Sequence, residues 1–196
     1  MGAVYRATDR LTNETVALKR VITPTTPLHE ASAAPNALRL VLAREFSILA
    51  SLRHPNIISV LDYGFDGEKR PFFTMTYLEN AQTILEAAAR KPLPQQVQLI
   101  QQMLQALVYL HRRGILHRDL KPENVLVTQQ RVRVLDFGLA AAKEEASESV
   151  GTWLYIAPEV LNDQPATEAA DLYAVGVLAY RIFLGHHPFD IYAPDY

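Results

Sequence analysis

The chain has 196 residues, 49% of them hydrophobic and 20% charged, a composition that supports one large or two small hydrophobic cores. Its formal net charge of -2 provides no field to draw it to nucleic acid or an anionic membrane, and the absence of cysteine excludes a disulfide framework and thiolate metal sites. That usage suits the cytoplasm, or the cytoplasmic part of a larger protein, and no basic-then-apolar signal pattern opens the chain.

Residues 1–8 and 15–21 are rich in Val, Ala, Tyr and Leu, and 9–14 supply turn residues, so the pattern predicts a β-hairpin. Residues 23–35, rich in Pro, Thr and Ala, lack periodicity and read as a loop. Over 36–52 the pattern is helical, with Leu38, Leu42, Leu49 and Leu52 on one stripe and Glu45 within it, where a carboxylate needs a partner. Two more strands are expected at 57–63 and 71–78 about a turn at Asp66-Gly67, and the character of the chain changes after Leu78. Val97, Ile100, Leu104, Leu107 and His111 are spaced for a long helix over 95–113 that stops at Gly114. Short strands at 125–127 and 132–135 flank Gln129-Gln130. The longest apolar run, 172–185, is shorter than the roughly 20 residues a spanning helix needs and carries Arg181, so it reads as a buried helix. The order gives a small β-rich lobe over 1–78 and a helical lobe over 79–196.

The run His117-Arg118-Asp119-Leu120-Lys121-Pro122-Glu123-Asn124 places a carboxylate, an ammonium and a carboxamide at the intervals that phosphoryl transfer from ATP to a hydroxyl requires. Asp119 can accept the hydroxyl proton, Lys121 can neutralise the moving phosphoryl group, and Asn124 can hold a magnesium ion. Asp136-Phe137-Gly138 then offers a second metal-binding carboxylate. Alone it is an ordinary turn; leaving the neighbouring strand of one hairpin, its carboxylate can face the same cleft as Asp119. His186-His187 carries no acid or cysteine at ligand spacing and reads as a loop into Pro188-Phe189.

In this order the motifs resemble the eukaryotic-type protein kinases of the serine/threonine branch, over essentially the whole chain. The resemblance implies an α+β, bilobal fold: a small antiparallel β lobe with one helix, and a mostly helical large lobe. It implies a Mg²⁺-dependent enzyme that transfers the ATP γ-phosphate to Ser and Thr hydroxyls of protein substrates, Lys121 after Asp119 favouring these over tyrosine. Lys19, in Val16-Ala17-Leu18-Lys19, would hold the α- and β-phosphates with Glu45 orienting it, whereas on the residues alone Lys19 is a solvated strand end. Met75 would be the gatekeeper, and backbone groups of Thr76 and Leu78 would bond the adenine edge. Val4 and Ala17 would roof the base, Leu126 would form its floor, and Gly2 would be the last glycine of the phosphate loop. His117 would pack under Phe137, which meets Leu49, and Asp171 would bond the backbone around His117 and Arg118. The segment from Gly151 to Glu159 resembles the platform that receives the peptide substrate. Ser147 and Ser149, in an acidic run, are either a solvated loop or regulatory phosphorylation sites answered by Arg118.

The sequence departs from that family at its ends. The family loop is G-x-G-x-x-G-x-V, of which Met1-Gly2-Ala3-Val4 supplies the last glycine and the valine, and Tyr196 comes before the helices whose arginine pairs with the counterpart of Glu159. The expectation is a fragment, or a truncated product, of a larger kinase, its start resembling the Gly-Gly-Met-Gly loops of bacterial members. The alternative is a non-catalytic kinase-like module that scaffolds a partner. A P-loop nucleotide-binding domain lacks its G-x-x-x-x-G-K-[ST] signature here.

Overall fold

The computed structural model describes residues 3–20, 46, 48–68, 70–136 and 152–189. Two compact units divide the chain, one of Met1–Arg53 with Ile58–Glu79 and the other of His54–Ile57 with Asn80–Tyr196.

In the first unit β1 (Val4–Thr8) and β2 (Thr15–Arg20) form the expected hairpin, in the register Val4 to Lys19 through Thr8 to Thr15. Between them Asn13 takes a positive φ of 58°, a turn conformation that asparagine tolerates. β3 (Val60–Phe65) and β4 (Pro71–Thr76) form a second hairpin about Asp66, whose carboxylate accepts the backbone N–H groups of Glu68 and Arg70. The four strands make one antiparallel sheet in the order β1-β2-β4-β3. A helix, α1, is described at residues 46 and 48–51. It buries Phe46 against Tyr63 and Phe73, with ring centroids 5.6 and 5.4 Å apart, while Leu49 and Leu52 are buried with Val16, Val60 and Met75. Loop 23–35, Leu38 and Leu42 of the predicted stripe, and the Glu45 within it lie outside the described residues.

The strand expected from residue 57 begins at Val60. Ile57 instead forms an isolated parallel bridge with Val134, and the Val134 N–H donates to Asn56 O at 2.9 Å, which places this segment in the second unit. The strand expected to run to Leu78 ends at Thr76.

The second unit opens with two elements the sequence reading passed over, β5 (Gln82–Thr83) and the short helix α2 (Ile84–Ala88). Their signal is a capping box. Thr83 Oγ1 accepts the Glu86 N–H at 3.3 Å and Glu86 Oε2 accepts the Thr83 N–H at 2.8 Å. Helix α3 (Leu93–His111) starts earlier than expected, with a proline in its first turn, where a missing N–H costs nothing. Its buried face is Leu99, Met103, Ala106, Leu107 and Leu110, whereas Val97, placed on the buried stripe by spacing alone, is 37% exposed. The stripe is rotated because α3 packs on both β7 and α5, which widens the covered face.

β6 (Val125–Thr128) and β7 (Arg131–Val134) pair across Gln129 and Gln130, both with positive φ, 48° and 61°, a turn whose twist matches a tight hairpin. With β5 they form a three-stranded sheet in the order β5-β6-β7. Gln102 of α3 fastens this hairpin: its Oε1 accepts the Val132 N–H and an Asn56 side-chain N–H, each at 2.9 Å. Past α4 (Pro158–Leu161), the apolar run folds as α5 (Glu168–Leu184), capped by Thr167 and closed by Gly185 at φ 80°. It buries Ala174, Val175, Val177, Leu178 and Ile182 and leaves Leu172 and Phe183 half exposed, so it is buried along one face. Among the described residues no helix is long and apolar enough to cross a membrane.

Candidate active site

The segment between α3 and β6 holds the run from His117 to Asn124, and its shape follows from how its backbone polar groups are satisfied. Gly114, at φ 69°, ends α3, and its N–H returns to His111 O at 2.8 Å. Further on, Arg118 is held at φ 64°, a left-handed conformation that costs a non-glycine residue about 1–3 kcal/mol and persists only where its surroundings impose it. Asp171 imposes it. Buried to 2% exposure, its carboxylate accepts the His117 N–H on Oδ2 at 2.8 Å and the Arg118 N–H on Oδ1 at 2.9 Å.

His117 is fully buried beneath this turn. Its Nε2 lies 2.8 Å from Leu135 O, which can only accept, so Nε2 carries the hydrogen; Nδ1 accepts the Asp119 N–H at 3.3 Å. Both bonds suit the neutral ring, and burial holds its pKa below the ordinary 6.5 against the opposing pull of Asp171 and Asp119. Phe137, its expected stacking partner, is outside the described residues.

The turn delivers Asp119, Lys121 and Asn124 to one place. Lys121 Nζ lies 3.2 Å from Asp119 Oδ1, the side chains 10% and 9% exposed. Asn124, buried in the 3₁₀ turn Pro122–Asn124, donates through Nδ2 to Asp119 O at 2.7 Å and Asp119 Oδ2 at 3.1 Å. The carboxylate is thus gripped on both oxygens. Because Asn124 turns its amide nitrogen to Asp119, its Oδ1 faces away and accepts no hydrogen bond among the described residues. Asp136 leaves β7 at φ 60°, and the Leu135 N–H donates to Asn124 O at 2.9 Å, tying the two turns together. An amide oxygen and a carboxylate are the hard donors that Mg²⁺ takes, so Asn124 and Asp136 fit that ion by their chemistry.

Beside Asp119 lies a cavity of about 170 Å³, walled by Leu120, Ile156, Ala157, Ala170 and Ala174. Above it Tyr155 is held by Arg181, whose Nη1 donates to the phenol oxygen, and His187 bonds Leu154 O at 3.0 Å. Burial raises the Tyr155 pKa, and the Arg181 guanidinium opposes it. His187 is thereby a structural ring, and no group of three or more His, Asp or Glu gathers for a metal among the described residues.

In the first unit the register puts Val4 opposite Lys19 and Ala17 opposite Met75, so these four share one face of the sheet. Met75 is buried, Thr76 is exposed with its N–H on Ser59 O at 3.0 Å, and Leu78 is half-buried. Leu126 lies in β6 of the second unit, half-buried and opposite Arg133. Gly2, Glu45, Gly138, Ser147, Ser149 and Gly151 are outside the described residues. One polar residue of the site escaped the sequence reading: His111, taken as a position on the apolar stripe of α3, bonds Asp171 Oδ2 through Nε2 at 2.8 Å. The signal was a histidine among aliphatic residues, which says that a partner exists without saying which.

Residues 1–194 match the protein kinase domain family. Over 201 residues the chain is 34% identical to a probable serine/threonine-protein kinase, pknA2, of Bifidobacterium longum, covering 97% of this chain and 26% of that protein. It is 32% identical over 204 residues to the serine/threonine-protein kinase pkn2 of Myxococcus xanthus, covering 97% of this chain and 24% of that one. The chain therefore spans about a quarter of the length of these relatives. Among solved structures it is similar to the PknI kinase domain of M. tuberculosis, with a TM-score of 0.71 and 30% identity over 97% of this chain and 70% of that one. A further match is Rad53 1-466 in complex with AMP-PNP, with a TM-score of 0.76 and 28% identity over 99% of this chain and 47% of that one.

Proposed function

The chain belongs to the protein kinase domain family, and from that premise we propose that it is a serine/threonine kinase, moving the γ-phosphate of ATP to hydroxyls of protein substrates. The observation that carries this reading is the Asp119 carboxylate, gripped by Lys121 at 3.2 Å and Asn124 at 3.1 Å in a nearly buried pocket. Asp119 orients the acceptor hydroxyl and takes its proton as the new O–P bond forms and the bond to the leaving ADP breaks. Lys121 neutralises charge on the moving phosphoryl group, and the low exposure of the pair strengthens that attraction. Lys19 takes the α- and β-phosphates, the role that the resemblance to the family implies for it. Val4, Ala17, Met75, Thr76 and Leu78, in the first unit, take the adenine end of the nucleotide. Mg²⁺, held by Asn124 and Asp136, supplies neutralisation of phosphate charge when bound.

The test is Mg²⁺-dependent transfer of phosphate from ATP to a serine-rich protein. Asp119→Asn removes the proton acceptor but keeps shape, so transfer falls by about 10²- to 10⁴-fold while ATP affinity is retained. Equal rates for variant and parent refute the assignment.

A further inference from the structure

Arg181 is the single charge in the apolar run of α5, and no acid answers it among the described residues. The side chain is half-buried, and its Nη1 donates to the phenol oxygen of Tyr155, with the guanidinium carbon 5.9 Å from the centre of that ring. Every ion pair found among the described residues joins other groups. Its own helix cannot supply a partner, because Asp171, the nearest acid on α5, is ten residues back, about 15 Å along the axis. Burial raises the Tyr155 pKa, Arg181 opposes that rise and Glu123 adds to it, so the field of Glu123 reaches the same phenol. Glu123 is nevertheless exposed to water and is no ion-pair partner of Arg181. A guanidinium has five N–H donors, and Tyr155 uses one of them.

The place of this cation ties it to the reaction. Tyr155 and Asp119 wall the same cavity, so the guanidinium stands one side chain away from the wall that Asp119 helps to form. On the other side His187 meets the Tyr155 ring edge-on, with ring centroids 6.2 Å apart, and bonds Leu154 O at 3.0 Å.

We propose that Arg181 is a specificity-determining residue, which takes the carboxylate of an Asp or Glu that a protein substrate carries close to its acceptor hydroxyl. The inference rests on the kinase reading and names a substrate class that reading leaves open. A guanidinium is a planar fork that matches the two oxygens of a carboxylate, and it keeps its charge at every working pH. The bond to Tyr155 fixes the fork before the substrate arrives, so less side-chain freedom is lost on binding. A lysine or arginine at the same place in a substrate meets a like charge with little water between, and selection works by repulsion as well as attraction.

The test uses the full chain and serine peptides that differ only in carrying Glu, Gln or Lys at one position near the serine, each flanking position taken in turn. The readout is the ratio of kcat/KM values for Mg²⁺-dependent transfer from ATP. The parent favours Glu over Gln at one position by on the order of 5- to 10-fold, between the effect of an exposed ion pair and that of a buried charge-assisted bond. Two variants change the charge and can keep the tie to Tyr155: in Arg181→Gln an amide N–H can donate to the phenol oxygen, and in Arg181→Glu the carboxylate can accept the phenol O–H. The preference disappears in Arg181→Gln and turns toward Lys in Arg181→Glu. A parent ratio near one at every position, or a preference for Glu that survives in both variants, overturns the proposal. If the parent transfers no phosphate, the kinase reading fails, and fluorescently labelled peptides with Ala in place of Ser still decide the role of Arg181 by anisotropy. Tighter binding of a Glu peptide that is lost in Arg181→Gln upholds it, and equal binding of the Glu and Gln peptides overturns it.

Discussion

Replacing Asp171 with alanine removes the acceptor on which the central turn depends. The His117 N–H, at 2.8 Å, and the Arg118 N–H, at 2.9 Å, both lose that acceptor. A buried donor that loses its acceptor costs about 1–3 kcal/mol, which counts for both backbone groups, while release of the Arg118 strain at φ 64° works the other way. Part of this is offset, because the variant no longer desolvates a carboxylate that is 2% exposed. The net loss is about 3 kcal/mol, a large fraction of the roughly 5–15 kcal/mol of an ordinary domain. Trp153, the single tryptophan, lies in the second unit with Asp171, so its fluorescence during urea denaturation follows the relevant part of the chain. With a urea slope of about 1–3 kcal/mol per molar, the midpoint falls by roughly 1–3 M. Asp171→Asn keeps the volume but turns an amide N–H₂ toward one of the three donors, so it loses most of the same stability. A midpoint for Asp171→Ala within about 0.3 M of the parent, at unchanged slope, refutes the reasoning, since the slope separates stability from compactness.

The neutral, buried His117 makes stability depend on pH. Its folded pKa lies below the ordinary 6.5, so below that value the unfolded chain binds the extra proton, and stability drops by up to about 1.4 kcal/mol per pH unit until the folded pKa is reached. The contribution is complete above pH 6.5. His117→Gln, which gains no proton, therefore shows a shallower fall in urea midpoint between neutral and acid pH; parallel profiles contradict the assignment, and the shift at His54 is common to both proteins. Gly176 sits inside α5, where an added Cβ meets no atom within 4 Å, so Gly176→Ala stabilises by about 0.5–1 kcal/mol and raises the urea midpoint; a lowered midpoint sinks the claim. Thr83→Ala opens the capping box of α2 and destabilises by about 1 kcal/mol, with faster exchange of the Glu86 amide as its local signature.

The hairpins were legible because their signals are local. Asp66 closes one turn with its own side chain, and asparagine at position 13 tolerates the left-handed backbone of another. α5 was legible from its apolar run, although only one face is buried, because a mean hydropathy does not record which side the neighbours cover. The same limit rotated the stripe of α3 away from Val97 and toward Leu99 and Met103. β5 and α2 were missed because a strand of two residues and a helix of five are too short for periodicity, and only the Thr83 and Glu86 pair announced them.

Sequence alone determined which groups stand close along the chain: Asp119, Lys121, Asn124 and Asp136, the pattern on which the proposed chemistry rests. Even the bond from Asp171 to the His117 and Arg118 amides was expected, through the likeness of its motif to a known family. Tertiary structure decided how the parts are held. His111 and Asp171 are 60 residues apart, and Asn56 and Gln102 are 46 apart. A buried polar side chain must find a partner, which any sequence reader can infer. Which partner it finds depends on the packing of α3 against α5 and β7, and no local spacing encodes that choice.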